Sequence, residues 1–171
     1  MKVVLQRVAK AGVSVNGGVP RTVGPGLLLL VGVAVEDTEQ IADKMAEKCA
    51  ELRIFEDEQG KLNRSAAELG LSALVVSNFT LQADTRKGRR PSFIGAAKPP
   101  LSIQLYERFV ETLRAQPLKE VKTGEFGADM QVELVNDGPI TLVLDSQDWL
   151  RPRHGGETAA SVQDAPKGGT Q

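Results

Sequence analysis

Eight consecutive apolar residues between turn signals constrain the fold of this chain more than any other feature. They occupy positions 27–34 and follow the turn-forming sequence Gly24-Pro25-Gly26. A run of this length, rich in Leu and Val, favours a strand buried on both faces over a helix. The chain has 171 residues, of which 41% are apolar, and that is enough to build the core of one domain around such a strand.

Other segments have the composition of strands that would join this one in a sheet. Two lie at positions 3–8 and 13–15, separated by a short connection. Two more, at 130–134 and 140–144, are joined by Asn136-Asp137-Gly138-Pro139. Asp-Gly favours a hairpin turn, whereas Pro139 lacks the N–H of a ladder residue and so indicates a strand start, an edge or a bulge. Further strands are predicted at positions 54–55 and 73–81.

Two amphipathic helices are also predicted. The first begins at Asp37, which forms a capping-box pattern with Gln40. The second begins after Pro99-Pro100 and ends before Pro117. Cys49 lies on the apolar stripe of the first helix, so we interpret it as a packing residue rather than a reactive thiol. Together with the strands, these helices predict an α/β fold.

The composition of the chain changes sharply after position 150. Residues 151–171 contain two Gly-Gly pairs and one branched apolar residue, Val162, so they are predicted to form a flexible, disordered tail behind a single domain at residues 1–150. No apolar run approaches the roughly 20 residues that span a bilayer, and no signal-peptide pattern opens the chain. A lone cysteine excludes an internal disulfide. We therefore expect a cytoplasmic protein with no membrane partner.

The sequence lacks the groups on which many enzymes depend. Its only histidine, His154, lies in the predicted tail, and it has no Cys/His cluster for zinc and no Gly-rich phosphate loop. We therefore expect no metal and no organic cofactor. Such a chain suits a labile substrate, for which orientation and stabilisation by backbone N–H groups are sufficient. An aminoacyl ester is a substrate of this kind.

Two polar segments near the middle of the chain are candidates for a site. The predicted strand 73–81 becomes polar at Ser77-Asn78-Phe79-Thr80, which indicates either a strand end that enters a site or an exposed face. The basic loop that follows, with Lys87, Arg89 and Arg90, contacts either an anionic ligand or only solvent. The net charge is −1, and because phosphate binding usually requires a basic protein, any nucleic-acid contact is predicted to be small.

The stretches Ser77-Asn78-Phe79-Thr80-Leu81 and Asn136-Asp137-Gly138-Pro139-Ile140-Thr141 resemble the signature motifs SQFTL and NxGPxT of the D-aminoacyl-tRNA deacylases, also called D-tyrosyl-tRNA deacylases. Further blocks, including Leu52-Arg53-Ile54-Phe55 and the segment 123–130, follow the family pattern in the same order. The resemblance therefore covers residues 1 to about 150. Asn78 stands where the family usually has glutamine, and its amide has a shorter reach.

The resemblance implies a homodimer with a compact, barrel-like mixed sheet, two main helices and active sites at the subunit interface. Gly138-Pro139 corresponds to a cis Gly-Pro element that enters the partner's pocket. There its carbonyl groups accept from the ammonium of a D-amino acid and leave no room for an L side chain. Arg7 matches an arginine that helps to fix this element. Ser77, Asn78, Phe79 and Thr80 match the catalytic segment.

Two roles for Thr80 follow from the resemblance. Thr80 matches a threonine once assigned as the nucleophile. In a second picture, the backbone N–H groups around Phe79 and Thr80 hold the substrate, and the 2′-hydroxyl of the tRNA assists. We favour the second picture, because the sequence offers no base to activate a threonine.

The implied function is hydrolysis of the ester of D-aminoacyl-tRNA, and also of mischarged glycyl-tRNA(Ala). The implied partner is the 3′-terminal adenosine of an aminoacyl-tRNA, with Lys87, Arg89 and Arg90 as candidate tRNA contacts; DNA is not expected as a partner. Two alternatives remain open. One is an editing domain that removes L-serine from tRNA, and the other is a non-catalytic module that binds an RNA 3′ end.

Overall fold

The computed structural model describes residues 1–149, so the predicted tail lies outside the described residues. Within them the chain forms eight strands and two α-helices. Short 3-10 turns lie at Phe79–Gln82 and Ser146–Trp149. The helices are α1 (Glu39–Glu51) and α2 (Leu101–Arg114). The strands are β1 (Lys2–Val15), β2 (Arg21–Val23), β3 (Gly26–Gly32), β4 (Phe55–Glu56), β5 (Leu62–Arg64), β6 (Ser72–Ser77), β7 (Glu120–Thr123) and β8 (Met130–Asp145).

Strand β3 lies in the middle of the main sheet. The strand order is β2-β1-β3-β6-β7, and β8 also pairs with β1. Because β3 is antiparallel to β1 and parallel to β6, the sheet is mixed. Leu27 and Leu29 belong to the core cluster shared with both helices, whereas Leu28 packs with Val8 and Leu74 in a second cluster. The prediction of a strand buried on both faces is confirmed.

The two ends of this sheet approach each other. Arg21 of β2 donates from Nη1 to the carbonyl oxygen of Thr123 in β7 at 2.9 Å. Lys122 of β7 donates from Nζ to the carbonyl oxygen of Thr22 at 2.6 Å. These contacts link the short strand β2 to the far edge of the sheet. The barrel-like mixed sheet with two main helices, implied by the resemblance, is therefore confirmed.

Helix α1 is present as predicted, but its cap is a different residue. Oγ1 of Thr38 accepts from the N–H of Ile41 at 3.3 Å, which makes Thr38 the N-cap. The predicted capping box of Asp37 and Gln40 is wrong. The carboxylate of Asp37 is buried and accepts from the N–H of Ala34 at 2.6 Å instead, so it is not available to the first turn of the helix.

The two helices are joined by a charged contact and share a packed core. Arg108 of α2 donates from Nε to Oδ1 of Asp43 in α1 at 2.6 Å, and this hydrogen bond holds the pKa of Asp43 below its ordinary value. Cys49 is buried in the core, and loss of hydration raises the pKa of its thiol to about 12. It is a packing residue, as predicted. Within residues 1–149, neither helix is long and apolar enough to cross a membrane.

Strands β1 and β8 are each one long strand where the sequence predicted two short ones. They pair antiparallel from Lys2 with Asp145 to Val15 with Met130, with irregularities between Gln6 and Lys10. Because both strands continue through these positions, the connection predicted at positions 9–12 and the hairpin turn predicted at 136–139 are both wrong. The second becomes an irregularity in the ladder, in which residues 137–140 lie opposite Arg7 alone.

Candidate active site

A cavity of about 320 Å³ lies where the polar end of β6 meets the first turn of α2. Strand β6 is buried up to Val76 and becomes partly exposed at Ser77. The predicted catalytic segment 77–79 forms part of the cavity wall. The wall also includes the apolar residues Val31, Val33, Ala97 and Met130, together with Phe126 and Asp129.

Asn78 organises the turn that follows β6. Its Oδ1 accepts from the N–H of Thr80 at 3.2 Å and from the hydroxyl of Thr80 at 2.5 Å. Asn78 therefore caps the 3-10 turn Phe79–Gln82. A neutral amide oxygen is not a base that can activate a hydroxyl. Within residues 1–149, no group of His, Cys, Asp and Glu is arranged to hold a metal ion.

Arg7 is buried beside the irregular segment of β8. Its Nη1 donates to the carbonyl oxygen of Ile54 at 2.6 Å, and its Nε donates to the carbonyl oxygen of Asp137 at 3.1 Å. The guanidinium carbon lies 5.8 Å from the centre of the Phe55 ring. Asn136 closes the same segment by donating from Nδ2 to the carbonyl oxygen of Arg7 at 2.8 Å. The structure thus places Arg7 against the segment that it is predicted to fix.

Gly138-Pro139 is exposed and does not line the cavity of its own chain. The expectation of a cis bond is wrong: this bond is trans, and the cis X-Pro bond among residues 1–149 is Pro99-Pro100. The backbone bends instead at Gly138, whose φ of +68° is accessible to glycine at little cost. The extra residues opposite Arg7 leave enough length for this bend, so the ladder resumes at Thr141.

The basic loop is tied to the cavity wall by an aromatic pair. The rings of Phe79 and Phe93 pack edge to face, with centroids 5.2 Å apart. At the start of the loop, Arg86 pairs with Asp84, and its hydrogen bonds hold the pKa of that carboxyl well below its ordinary value. The cationic side chains of the loop that are exposed and have no ion-pair partner within residues 1–149 are Lys87, Arg89 and Arg90.

Comparison with known proteins decides the family. The family model for D-Tyr-tRNA(Tyr) deacylase matches residues 4–145. The chain belongs to this family. A D-aminoacyl-tRNA deacylase of Chloroflexus aurantiacus is 52% identical over 161 residues, which cover 94% of this chain and 100% of that protein. Another, of Thermomicrobium roseum, is 57% identical over 148 residues, which cover 86% and 96%. The family resemblance in the sequence is confirmed.

Two solved structures share the fold of this deacylase-family chain. One, described as c-Myc DNA Unwinding Element Binding Protein, has a TM-score of 0.80 at 40% identity and covers 85% of this chain and 99% of its own. The other, described as a probable eukaryotic D-amino acid tRNA deacylase, has a TM-score of 0.75 at 17% identity and covers 84% and 97%. At that identity, the second structure supports the fold alone.

Sequence reasoning found part of this cavity and missed the rest. The predicted segment 77–79 lines the cavity. Thr80, which was also predicted to belong to the site, is exposed and does not line it. Phe126 and Met130 also line the cavity. In the sequence, these two residues could be found only because the surrounding segment follows the deacylase family pattern. Ser102 gave no signal, because a serine near the start of a helix is ordinary.

Proposed function

We propose that this chain hydrolyses the ester of D-aminoacyl-tRNA to a D-amino acid and tRNA. The observation that carries the proposal is the cavity at the end of β6, walled by the signature segment 77–79 in a chain of the deacylase family. The two relatives compared above carry the name D-aminoacyl-tRNA deacylase and match over nearly their full length. Glycyl-tRNA(Ala) is a second proposed substrate, because glycine has no side chain for the site to exclude.

Release of labelled amino acid from defined aminoacyl-tRNAs tests this proposal. We expect release from D-tyrosyl-tRNA and glycyl-tRNA(Ala), with L-tyrosyl-tRNA left intact. Release of L-serine from L-seryl-tRNA, without D-tyrosine release, would indicate an editing domain instead. Binding of the RNA end with no release from any substrate would indicate a non-catalytic module.

The chemistry is proposed to depend on orientation and on backbone N–H groups. The first N–H groups of a helical turn have no partners within that turn, and the turn after β6 begins at Phe79. Asn78 already occupies the N–H of Thr80, so the N–H of Phe79 is the donor that we propose for the ester carbonyl. Such a donor stabilises the negative charge that develops when water attacks the carbonyl carbon. The neighbouring 2′-hydroxyl of the tRNA assists this attack.

Thr80→Ala is expected to keep its deacylation rate within about ten-fold of wild type. The substitution removes one hydrogen bond to Asn78, and a neutral hydrogen bond contributes about 1 kcal/mol. Single-turnover cleavage of D-tyrosyl-tRNA measures the effect. A loss near the ~10⁶-fold that follows deletion of a covalent nucleophile would contradict this expectation and make Thr80 the nucleophile.

We also propose that two chains pair so that Gly138-Pro139 of one chain reaches the cavity of the other. Two features support this. The segment 137–139 is exposed and lies outside the cavity of its own chain. Strand β8, which carries it, has exposed apolar side chains, including Val135 at 46% and Val143 at 71% exposure, and such surfaces on long strands usually have a partner. In the pair, the backbone of Gly138 faces the substrate and excludes an L side chain.

Contact between the basic loop and tRNA phosphates is proposed as well. Replacing Lys87, Arg89 and Arg90 together by glutamine is expected to raise KM for D-aminoacyl-tRNA and to leave kcat nearly unchanged. Affinity falls as the salt concentration rises. The magnitude of the slope of log affinity against log salt concentration should decrease by about 0.7–0.9 for every phosphate that the loop no longer neutralises. Steady-state kinetics over a range of KCl concentrations measures both effects.

Lys48, Arg53 and Lys61 provide the control for charge alone, because they are exposed and lie outside the basic loop. Their replacement by glutamine removes the same charge and should leave KM and the salt slope unchanged. If both triple variants behaved alike, the basic loop would be only a solvated surface.

Duplex DNA serves as a competitor, since one structural relative is described as a DNA-element binding protein. Inhibition as strong as that by tRNA would contradict the expectation that DNA is not a partner.

A further inference from the structure

Ser102 carries a buried hydroxyl group that has no hydrogen-bond partner among residues 1–149. The residue is 5% exposed, and within residues 1–149 its Oγ is the buried side-chain polar atom left unpaired. Leaving such a group unpaired is destabilising, and nearly all buried hydroxyls in folded proteins avoid it. The position therefore needs an explanation other than stability.

Ser102 lies between the protein core and the cavity. It lies on the buried face of α2, three and seven residues before Leu105 and Phe109, which belong to the core. An alanine at this position would preserve helix and packing without the unpaired hydroxyl. At the same time, Ser102 borders the cavity that holds the catalytic segment. A ligand in this cavity would supply the partner that the hydroxyl lacks within residues 1–149.

The lining of the cavity indicates what kind of group Ser102 would meet. Its walls near α2 are apolar and aromatic, with Val33, Ala97 and Phe126. The ionisable residue among those that line it is Asp129, whose negative charge would repel a phosphate. Apolar and aromatic walls beside a neutral hydroxyl, which can both donate and accept, suit the faces and polar edge of a nucleobase.

We propose that the hydroxyl of Ser102 hydrogen-bonds the base of the 3′-terminal nucleotide and is a specificity-determining residue for the RNA end. This inference rests on the proposed function, because it assigns the cavity to the terminal nucleotide of the substrate. The ester then lies toward Phe79, which also lines the cavity. Ser102 takes no part in bond breaking, so its loss should affect binding rather than the chemical step.

Ser102→Ala is expected to raise the KM for D-aminoacyl-tRNA about 5- to 10-fold, the effect of one neutral hydrogen bond, with kcat unchanged. Its melting temperature should stay equal or rise, because the substitution removes an unpaired buried hydroxyl. Ser72→Ala is the matched control: Ser72 is 3% exposed in β6 and does not line the cavity, so its KM should not change. A structural role for Ser102 would instead lower the melting temperature and leave KM unaffected.

Equilibrium binding of uncharged RNA tests the contact without requiring hydrolysis. The probes are a trinucleotide ending in adenosine and versions with terminal purine riboside, 1-deaza- or 7-deazaadenosine, each titrated into the full chain and into Ser102→Ala. We expect one analogue to weaken binding to wild type but not to Ser102→Ala, since both changes remove the same hydrogen bond. Equal penalties in both proteins, or an unmodified-RNA Kd that differs less than two-fold, would overturn the proposal. Failure of the proposed function would look different: RNA binding and its Ser102 dependence would persist without release of a D-amino acid.

Discussion

Gly138→Ala is expected to lower D-aminoacyl-tRNA deacylation by about 100-fold or more while the chain stays folded. A β-carbon at this position would lie 2.7 Å from Nη2 of Arg7, and the φ of +68° is unfavourable for alanine. Arg7 cannot retreat without losing its hydrogen bonds to the carbonyl oxygens of Ile54 and Asp137. The segment must therefore shift, and a displacement of about 1 Å in a positioning element can cost about 100-fold in rate.

Gly60→Ala separates this contact from backbone strain. Gly60 has a φ of +74°, and a β-carbon there would meet nothing within 4 Å. Both variants should lose stability from the strained alanine, by roughly 1–2 kcal/mol, but only Gly138→Ala should lose activity. Thermal melts and deacylation rates at equal folded concentration measure the two effects. Equal, near-normal activity of both variants would show that Gly138 does not shape the site.

The segment around Gly138 also shows what local sequence signals omit. Asp137-Gly138-Pro139 predicts a turn because each residue favours one on its own. The backbone instead continues along β1, because pairing between two long strands satisfies the N–H and C=O groups on both sides of the irregularity. That pairing joins residues at least 115 positions apart, as for Val15 and Met130, and no short window of sequence reports it. The resemblance implied that Arg7 fixes the element at Gly138, but the close approach of Arg7 Nη2, which leaves no room for a β-carbon at Gly138, came only from the structure.

Helices and strands whose apolar residues mark the buried face were predicted well. The apolar run forms β3 up to Gly32, two residues short of its predicted end, and the two apolar stripes form α1 and α2. Whether a residue is buried depends on the face of the helix or strand on which it lies. The spacing of apolar residues along the sequence therefore predicts burial. The predicted cap of α1 was wrong for the opposite reason: the carboxylate of Asp37 accepts from the N–H of Ala34 and from the ammonium of Met1, 36 positions away, and such competing partners leave no trace in a capping pattern.

The cavity was predicted in part because its wall comes from separate parts of the chain. The segment 77–79 carries a family signature, whereas α2 and the stretch before β8 contribute residues with ordinary local roles. Ser102 is unusual only once its burial and its missing partner are known. Sequence patterns identify the signature segment of such a site more readily than the residues that select its ligand.

Mixing two inactive variants is expected to restore activity if Gly138-Pro139 completes the site of the other subunit. The first variant is Gly138→Ala, which keeps an intact cavity. The second is Ala128→Phe; Ala128 is partly exposed and lines the cavity, so a phenylalanine there fills the site without displacing core residues. Each variant alone should be at least about 100-fold less active than wild type.

Co-expression of the two variants with different affinity tags yields dimers that contain one chain of each kind. In such a dimer one site combines the intact cavity of Gly138→Ala with the intact Gly138 of the other chain, and the second site carries both defects. With random pairing, half of the dimers are mixed and half of their sites are intact, so the mixture should reach about a quarter of wild-type activity. Purified mixed dimers should reach about half. Mixed dimers that form but stay as inactive as either parent would show that Gly138 acts within its own chain, because only an exchange of segments between subunits can rebuild a site from two defective ones.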